Sequence, residues 1–258
     1  MSEAIKLQHH DHTCVLTLNN PPAHTWTAES LHQLADIVET LNKDTNNYAL
    51  IITGDGEKFF SAGADLNQFN HDDKEKCLHF ASAFGDAFQT LANYKGVSIA
   101  AINGYAMGGG LEVALACDIR IAEQHALMAL PECTVGLLPC GLGTQHLTHL
   151  IGEQWAKRMI LLGEKVDADK ALTLGLISEV VEKGDVLEHA LKLCAKLSKQ
   201  SPIAVNYCKE LIMGTREQPM SVLFQKERDL FLTLFETQDR KEGVQAFLEK
   251  RSPQWKNN

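Results

Sequence analysis

The sequence has no long charge-free apolar run, no excess of basic residues and no closely spaced cysteine pair, and each absence removes a class of function. Nothing approaches the roughly 18 apolar residues that a membrane-crossing helix needs. The opening MSEAIKLQHH has neither a basic region followed by an apolar stretch nor an arginine-rich amphipathic pattern, so no targeting segment is expected. Lys and Arg number 24 against 33 Asp and Glu, a formal net charge of -9 that argues against a general nucleic-acid-binding surface. The seven cysteines are odd in number, widely spread and never spaced CxxC, so they read as reduced thiols in a reducing compartment rather than disulfides or a zinc site. His9, His10 and His12 cluster, yet an alternating strand before a polar turn accounts for them better than a metal does. A soluble, cytoplasmic protein without a bound metal is the expectation.

Familiar chemical motifs are missing as well. GYAMGGG is not the dinucleotide fingerprint GxGxxG, and there is no GxxxxGK[ST] phosphate loop, HExxH metal motif or GxSxG nucleophile elbow. Ser61 and Cys140 have no base close by in sequence, and a packed thiol is the simpler reading of Cys140. No Pro/Gly/Ser-rich linker interrupts the 258 residues, and 45% hydrophobic with 22% charged residues is ordinary for a globular chain.

What is present alternates strand and helix signals. Ile5 to Leu18 alternates in polarity and reads as a strand or hairpin, stopped by Asn19–Pro22; Thr27 can cap a helix from Ala28. Ala49–Thr53 and Val97–Ile102 read as buried strands, each followed by a glycine-bearing turn and then a helix, the first of these near Lys76–Ala92. Further strands are expected at Asp118–Ala122, Ala126–Ala129 and Ile177–Val181. Thr134–Thr144 reads as irregular, with helices near Gln154–Leu162, from Asp167 to Gly175, over Val186–Leu197 and from Pro202 to Ile212. The apolar face around Phe224 and Phe231 suits packing against the body or a neighbouring subunit, and a short apolar face of Val244, Phe247 and Leu248 precedes Lys250. Together these signals give a layered α/β architecture with a helical C-terminal part.

Two glycine segments carry the chemical interest. FFSAGADL (Phe59–Leu66) and INGYAMGGGLEVALACDI (Ile102–Ile119) both follow a strand, and both can expose backbone NH groups. One candidate donor lies around Ala64 and one around Gly109; together they could clamp a carbonyl oxygen that becomes anionic, although close packing would also require such glycines. Glu112 lies three residues beyond Gly109, and Glu132 follows Pro131 in an apolar segment. Two acids flanking an activated acyl group could position water and transfer a proton to carbon. Alternatively Glu112 caps backbone groups and Glu132 pairs with a base.

FFSAGADL, INGYAMGGGLEVALACDIRIA and ALPECTVGLLPCGLGTQHL, with DADKALTLGLISEVV and AFLEKR, together resemble the crotonase, or enoyl-CoA hydratase/isomerase, family over almost the whole chain. The resemblance implies a ββα spiral core, taken here as residues 1–195, and a C-terminal helical region, 196–258, for trimerisation and completion of the CoA site. It implies Ala64 and Gly109 as oxyanion-hole donors, Glu112 and Glu132 as catalytic acids, and the Cys140 NH as a holder of water. It further implies substrate and CoA contacts at Ala62, Asp65, Leu66, Phe247 and Lys250. The implied enzyme is an enoyl-CoA hydratase of fatty-acid metabolism, a homotrimer or dimer of trimers needing no prosthetic group because coenzyme A arrives with the substrate. A Δ3,Δ2-enoyl-CoA isomerase and a non-catalytic CoA-binding subunit are the alternatives. Three features depart from the family pattern: His24 and Trp26 stand after the early proline turn, Leu142 replaces a glycine of the family's GGGGTQ loop, and no lysine follows ADL.

Overall fold

A computed structural model describes residues 4–258; the first three residues of the opening stretch lie outside it. The alternating segment is a hairpin in which β1 (Ile5–His10) pairs antiparallel with β2 (Thr13–Leu18). Thr27 caps α1 (Ala28–Leu41) reciprocally: the Ser30 NH donates to the Thr27 hydroxyl and the Thr27 NH to the Ser30 hydroxyl, which satisfies two first-turn donors.

From there the chain repeats one unit three times. β3 (Ala49–Gly54) and β4 (Phe59–Ser61) lead to α2 (Lys74–Ala92); β5 (Val97–Ile102) and β6 (Tyr105–Met107) lead to α3 (Gly109–Ala116); β7 (Ile119–Glu123) and β8 (Leu127–Ala129) lead to α4 (Gly143–Leu161). The first strand of each unit joins one sheet and the second strand joins another, so the chain winds as a ββα spiral, the core that the resemblance implies. β9 (Val166–Asp167), α5 (Ala168–Leu174), β10 (Glu179–Val181) and α6 (Val186–Leu197) follow. Three further helices, α7 (Pro202–Gly214), α8 (Met220–Leu234) and α9 (Gln238–Glu249), complete a helical C-terminal subdomain. The larger sheet runs β1-β2-β3-β5-β7-β10, parallel beyond the hairpin, and the smaller runs β4-β6-β8-β9.

Both faces of the larger sheet are covered, which is why its strands read as apolar runs. Leu16, Leu50, Ile52 and Ile102 pack in one cluster with Leu34, Phe84 and Leu111 from the helices. Val15, Ile51, Ile99 and Ile121, pointing the other way, pack under Val186, Ala190 and Cys194 of α6. At the end of this sheet the buried Asn103 receives the Gly54 NH at 3.0 Å and donates to Gly54 O and Gly56 O at 2.9 and 2.8 Å. That one side chain ties the β3–β4 turn to the β5–β6 turn and brings the two glycine segments side by side.

The structure differs from the sequence reading in one stretch above all. Residues 134–144 are not irregular throughout, because a 3-10 turn spans Glu132–Val135 and α4 begins at Gly143. Gly152, at φ 76 and ψ 163, breaks α4, so the helix expected from Gln154 is its second half. The residue preceding α4 is Leu142, which offers no capping side chain, so the usual start signal is missing. The short strand β6 hides inside what reads as a glycine turn. No helix among the described residues is long and apolar enough to cross a membrane.

Candidate active site

The first glycine segment is held by a neighbour that the sequence marked only as a departure. Trp26 donates its NH to Gly63 O at 2.8 Å and accepts from the Asp65 NH at 3.1 Å. In such a parallel bridge the residue between the two bonds turns its own NH to the opposite side, so the Ala64 NH faces away from Trp26. Ala64 lines a cavity of about 860 Å³. Below it the Ser61 hydroxyl donates to His24 O at 2.7 Å and accepts from the Gly63 NH at 3.2 Å, while the His24 ring bonds Asp55 O at 2.8 Å. His24 and Trp26 thus form a strap under the segment.

The second segment enters α3 through Gly108, whose φ of 53 is a conformation glycine adopts at little cost. Gly109 is the first helical residue, and its NH therefore has no acceptor within the helix. A side chain on Gly110 would collide with Ser61 O, and a β-carbon on Gly63 would lie 3.0 Å from the Gly109 nitrogen. Close packing and exposed donors are therefore not alternatives. The glycines permit the contact that sets Ala64 and Gly109 on one cavity wall.

Glu112 sits on α3 just past Gly109, is 2% exposed, and accepts at Oε1 from the NH groups of Gly141 and Gly143, both at 2.8 Å. Glu132 follows Pro131 in the 3-10 turn, half-buried, with Oε1 against Gly108 and Oε2 without a hydrogen-bond partner. Burial, and then the charge of Glu132, lifts the Glu112 carboxyl against its two glycine donors to about 7; burial lifts Glu132 to about 7. Burial thus holds both carboxyls well above the ordinary carboxylate range, and Glu112 also feels the charge of Glu132. Glu112 does not cap local backbone groups: its carboxylate accepts from two NH groups distant in sequence while it also faces the cavity. Among the described residues Glu132 has no ion-pair partner, and its Oε2 makes no hydrogen bond. Burial and the two acids push the Cys140 thiol up to about 12, so it stays neutral and is no thiolate nucleophile.

Behind this wall runs a series of rings along α2. Trp26, Phe88, Phe84, Phe80 and Phe69 contact one another in turn, with centroid separations of 5.7, 5.6, 5.1 and 5.1 Å. Phe84 backs Gly109 and Phe88 backs Gly141, so the series braces a donor and the Glu112 clamp together.

Eight of the residues singled out in the sequence line one cavity: Ala62, Ala64, Asp65 and Leu66 from the first segment, and Gly109, Glu112, Glu132 and Cys140 from later ones. Phe247 and Lys250 do not. Phe247 is 83% exposed on α9, and Lys250 ends that helix at φ 56. Sequence reasoning missed Gly141 and Gly143 as the donors that hold Glu112. The signal was a glycine on each side of Leu142, itself at φ 70 in the left-handed region. Leu142 therefore holds a left-handed backbone conformation that glycine adopts at little cost. Among the described residues no three His, Cys, Asp or Glu side chains gather as metal ligands.

Two backbone donors and an acid pair on one apolar cavity can polarise a carbonyl and move protons beside it. A family model described as enoyl-CoA hydratase/isomerase matches residues 8–258. The chain is 37% identical to the 2,3-dehydroadipyl-CoA hydratase of Escherichia coli, covering 99% of each chain, and 34% identical to the short-chain-enoyl-CoA hydratase of Clostridium acetobutylicum, covering 92% and 91%. Among solved structures it superposes on Pseudomonas aeruginosa DspI with a TM-score of 0.97 at 55% identity, covering 99% and 97%. On an enoyl-CoA hydratase from Bacillus anthracis the TM-score is 0.95 at 35% identity, covering 99% and 100%.

Proposed function

The chain belongs to the enoyl-CoA hydratase/isomerase family and is an enzyme, and from that premise we propose that it adds water reversibly to a trans-2-enoyl-CoA, giving a 3-hydroxyacyl-CoA. The observation that carries this reading is the pair of raised carboxyls, Glu112 and Glu132, on one cavity with Ala64 and Gly109.

In this reading the Ala64 and Gly109 NH groups bind the thioester oxygen, draw electrons from the conjugated double bond and leave C3 electrophilic. Glu112, ionised and fixed by Gly141 and Gly143, takes a proton from water as its oxygen bonds to C3. The enolate that forms is held at the oxyanion donors until Glu132 gives its proton to C2. One proton enters the pair and one leaves, so the pair's total is unchanged. The Cys140 NH, on the same wall, is assigned to holding the water, and Ala62, Asp65 and Leu66 to bordering the bound thioester. Isomerisation of a 3-enoyl-CoA needs only one acid to carry a proton between carbons; a second raised carboxyl beside the first favours hydration.

The helical region 196–258 is assigned to assembly as a homotrimer or dimer of trimers and to completing the CoA site around the core of residues 1–195. Exposed Phe231, Phe247 and Leu248 on α8 and α9 support that role, with Phe247 and Lys250 directed to the adenine and nucleotide phosphate. All seven cysteines are unpaired, which supports a cytoplasmic setting. The test is incubation with trans-2-enoyl-CoAs in oxygen-18 water. Labelled 3-hydroxyacyl-CoA is expected; no turnover at any chain length refutes the assignment, and a 3-enoyl-CoA converted without label favours isomerisation.

A further inference from the structure

The Ala64 NH takes its direction from a peptide plane whose preceding residue offers little resistance to turning. Gly63, at φ 91, has torsional freedom that a residue with a β-carbon lacks. Two bonds pin it. Gly63 O accepts from the Trp26 NH at 2.8 Å, and because the peptide is planar and trans this sends the Ala64 NH the opposite way. At its other end the Gly63 NH donates to the Ser61 hydroxyl at 3.2 Å, and that hydroxyl donates in turn to His24 O at 2.7 Å. These three bonds close a ring through the backbone of residues 24–26.

Ser61 is fully buried at the end of β4, where one extra residue, Phe60, stands between the positions paired with Tyr105 and Ala106; such an irregularity re-aims a side chain. Ser61 O lies so close to Gly110 that a β-carbon there would collide with it, so Ser61 touches both donor segments. His24 anchors the far side. Its φ of 53 is a conformation that a residue with a side chain keeps only when its surroundings fix it. Here its NH donates to Asn20 O at 2.7 Å and its Nε2 to Asp55 O at 2.8 Å. Neither Ser61 nor His24 lines the cavity.

We propose that Ser61, backed by His24, is a positioning residue: its hydroxyl fixes the Gly63–Ala64 peptide so that the Ala64 NH meets the thioester oxygen, without itself touching the substrate. The inference rests on the hydratase reading and adds the side chains that aim one of its two oxyanion donors. Without the hydroxyl the buried Gly63 NH has no acceptor, and a buried NH left unpaired is costly. Gly63 relieves that cost by turning, and the Ala64 NH turns with it. A donor displaced by about 1 Å loses its hold on an oxygen whose charge grows during reaction, a loss of up to about 100-fold in rate. The acyl chain and coenzyme A keep their own contacts, so KM stays nearly as it was.

Hexanoyl-CoA labelled with carbon-13 at the thioester carbonyl reports on the donors directly, because it can bind without being hydrated. The infrared carbonyl stretch of the bound ligand is compared in the parent, Ser61→Ala and His24→Asn. Calorimetric binding of the same ligand is measured beside it, with kcat and KM for trans-2-hexenoyl-CoA. In the parent the stretch is expected to move to lower frequency on binding. Ser61→Ala should lose more than about half of that movement and about 10- to 100-fold in kcat, with KM and ligand binding changed by less than about threefold. His24→Asn tolerates the same φ but is too short to reach Asp55 O, and should lose about threefold to tenfold in kcat. A serine that only supports the fold would lower stability and leave the stretch and kcat of the folded variant as in the parent. That result overturns the proposal, as does a loss confined to KM. If Ser61→Ala does not fold, His24→Asn decides, and an unchanged stretch and kcat there overturn it. No binding, or no movement in the parent, refutes the oxyanion reading and the proposal with it; movement kept in both variants refutes the positioning role alone.

Discussion

Gly143 donates its backbone NH to Oε1 of Glu112 at 2.8 Å, joining the first turn of α4 to the middle of α3 across 31 positions of sequence. The contact admits no side chain at residue 143, because a β-carbon there would lie 2.6 Å from that same oxygen and 2.9 Å from Glu112 Cγ. Gly143→Ala is therefore expected to fold but to turn the carboxylate away from its water. Steady-state kinetics should show kcat falling by about 100-fold, with KM changed by less than about threefold. A variant with unaltered kcat would remove the clamp from the mechanism.

The raised carboxyls make a prediction about stability whose sign is opposite to that of a salt-bridged acid. Glu132 ionises near 7 in the folded chain against an ordinary 4.5, so the folded state holds a proton that the unfolded state has released between those values. Its contribution to stability is intact below about pH 4.5 and is lost as pH rises through 7. Glu132→Gln removes that loss, and denaturant titrations should find the variant more stable than the parent by about 1–3 kcal/mol at pH 8. The advantage should vanish near pH 4.5. An advantage that grows toward acid would contradict the burial of an unpartnered Oε2 as its cause.

Leu142 holds a glycine's backbone conformation, at φ 70, between the two donors to Glu112. Leu142→Gly should keep hydratase activity within about twofold, because glycine meets the same φ without strain. Leu142→Val should lose about tenfold or more in kcat, since a branched β-carbon raises the cost of that conformation by about 1–2 kcal/mol and relaxation would displace Gly141 and Gly143. Kinetics of the two variants at matched folded fraction check the claim. Equal activity in both would show that the loop does not set Glu112.

Much of this arrangement was legible in the residues, for reasons of range. Thr27 before Ala28, Asp167 before Ala168 and Gly175 after Leu174 are local signals, and each marks its helix end as read. The two glycine segments and Glu112 and Glu132 stood out because glycine is costly in a helix and acids are rare in apolar stretches. What the residues hid is what depends on distant partners. Gly141 and Gly143 acquire their role only when α3 lies beside them, and Trp26 only when Ala64 pairs with it. α4 begins without a cap, so its start carried no local mark. The family resemblance filled part of that gap by supplying the ββα winding, which no periodicity in this chain displays.

Because burial raises both acids to about 7, the dependence of kcat/KM on pH for the parent and for Glu112→Gln and Glu132→Gln, with a trans-2-enoyl-CoA, tests their roles most directly. Expected are a bell centred near pH 7 in the parent and a loss of about 100-fold to 10,000-fold in each variant, with both variants folded. Full activity in either variant, or a parent profile flat across pH 5 to 9, would contradict those roles.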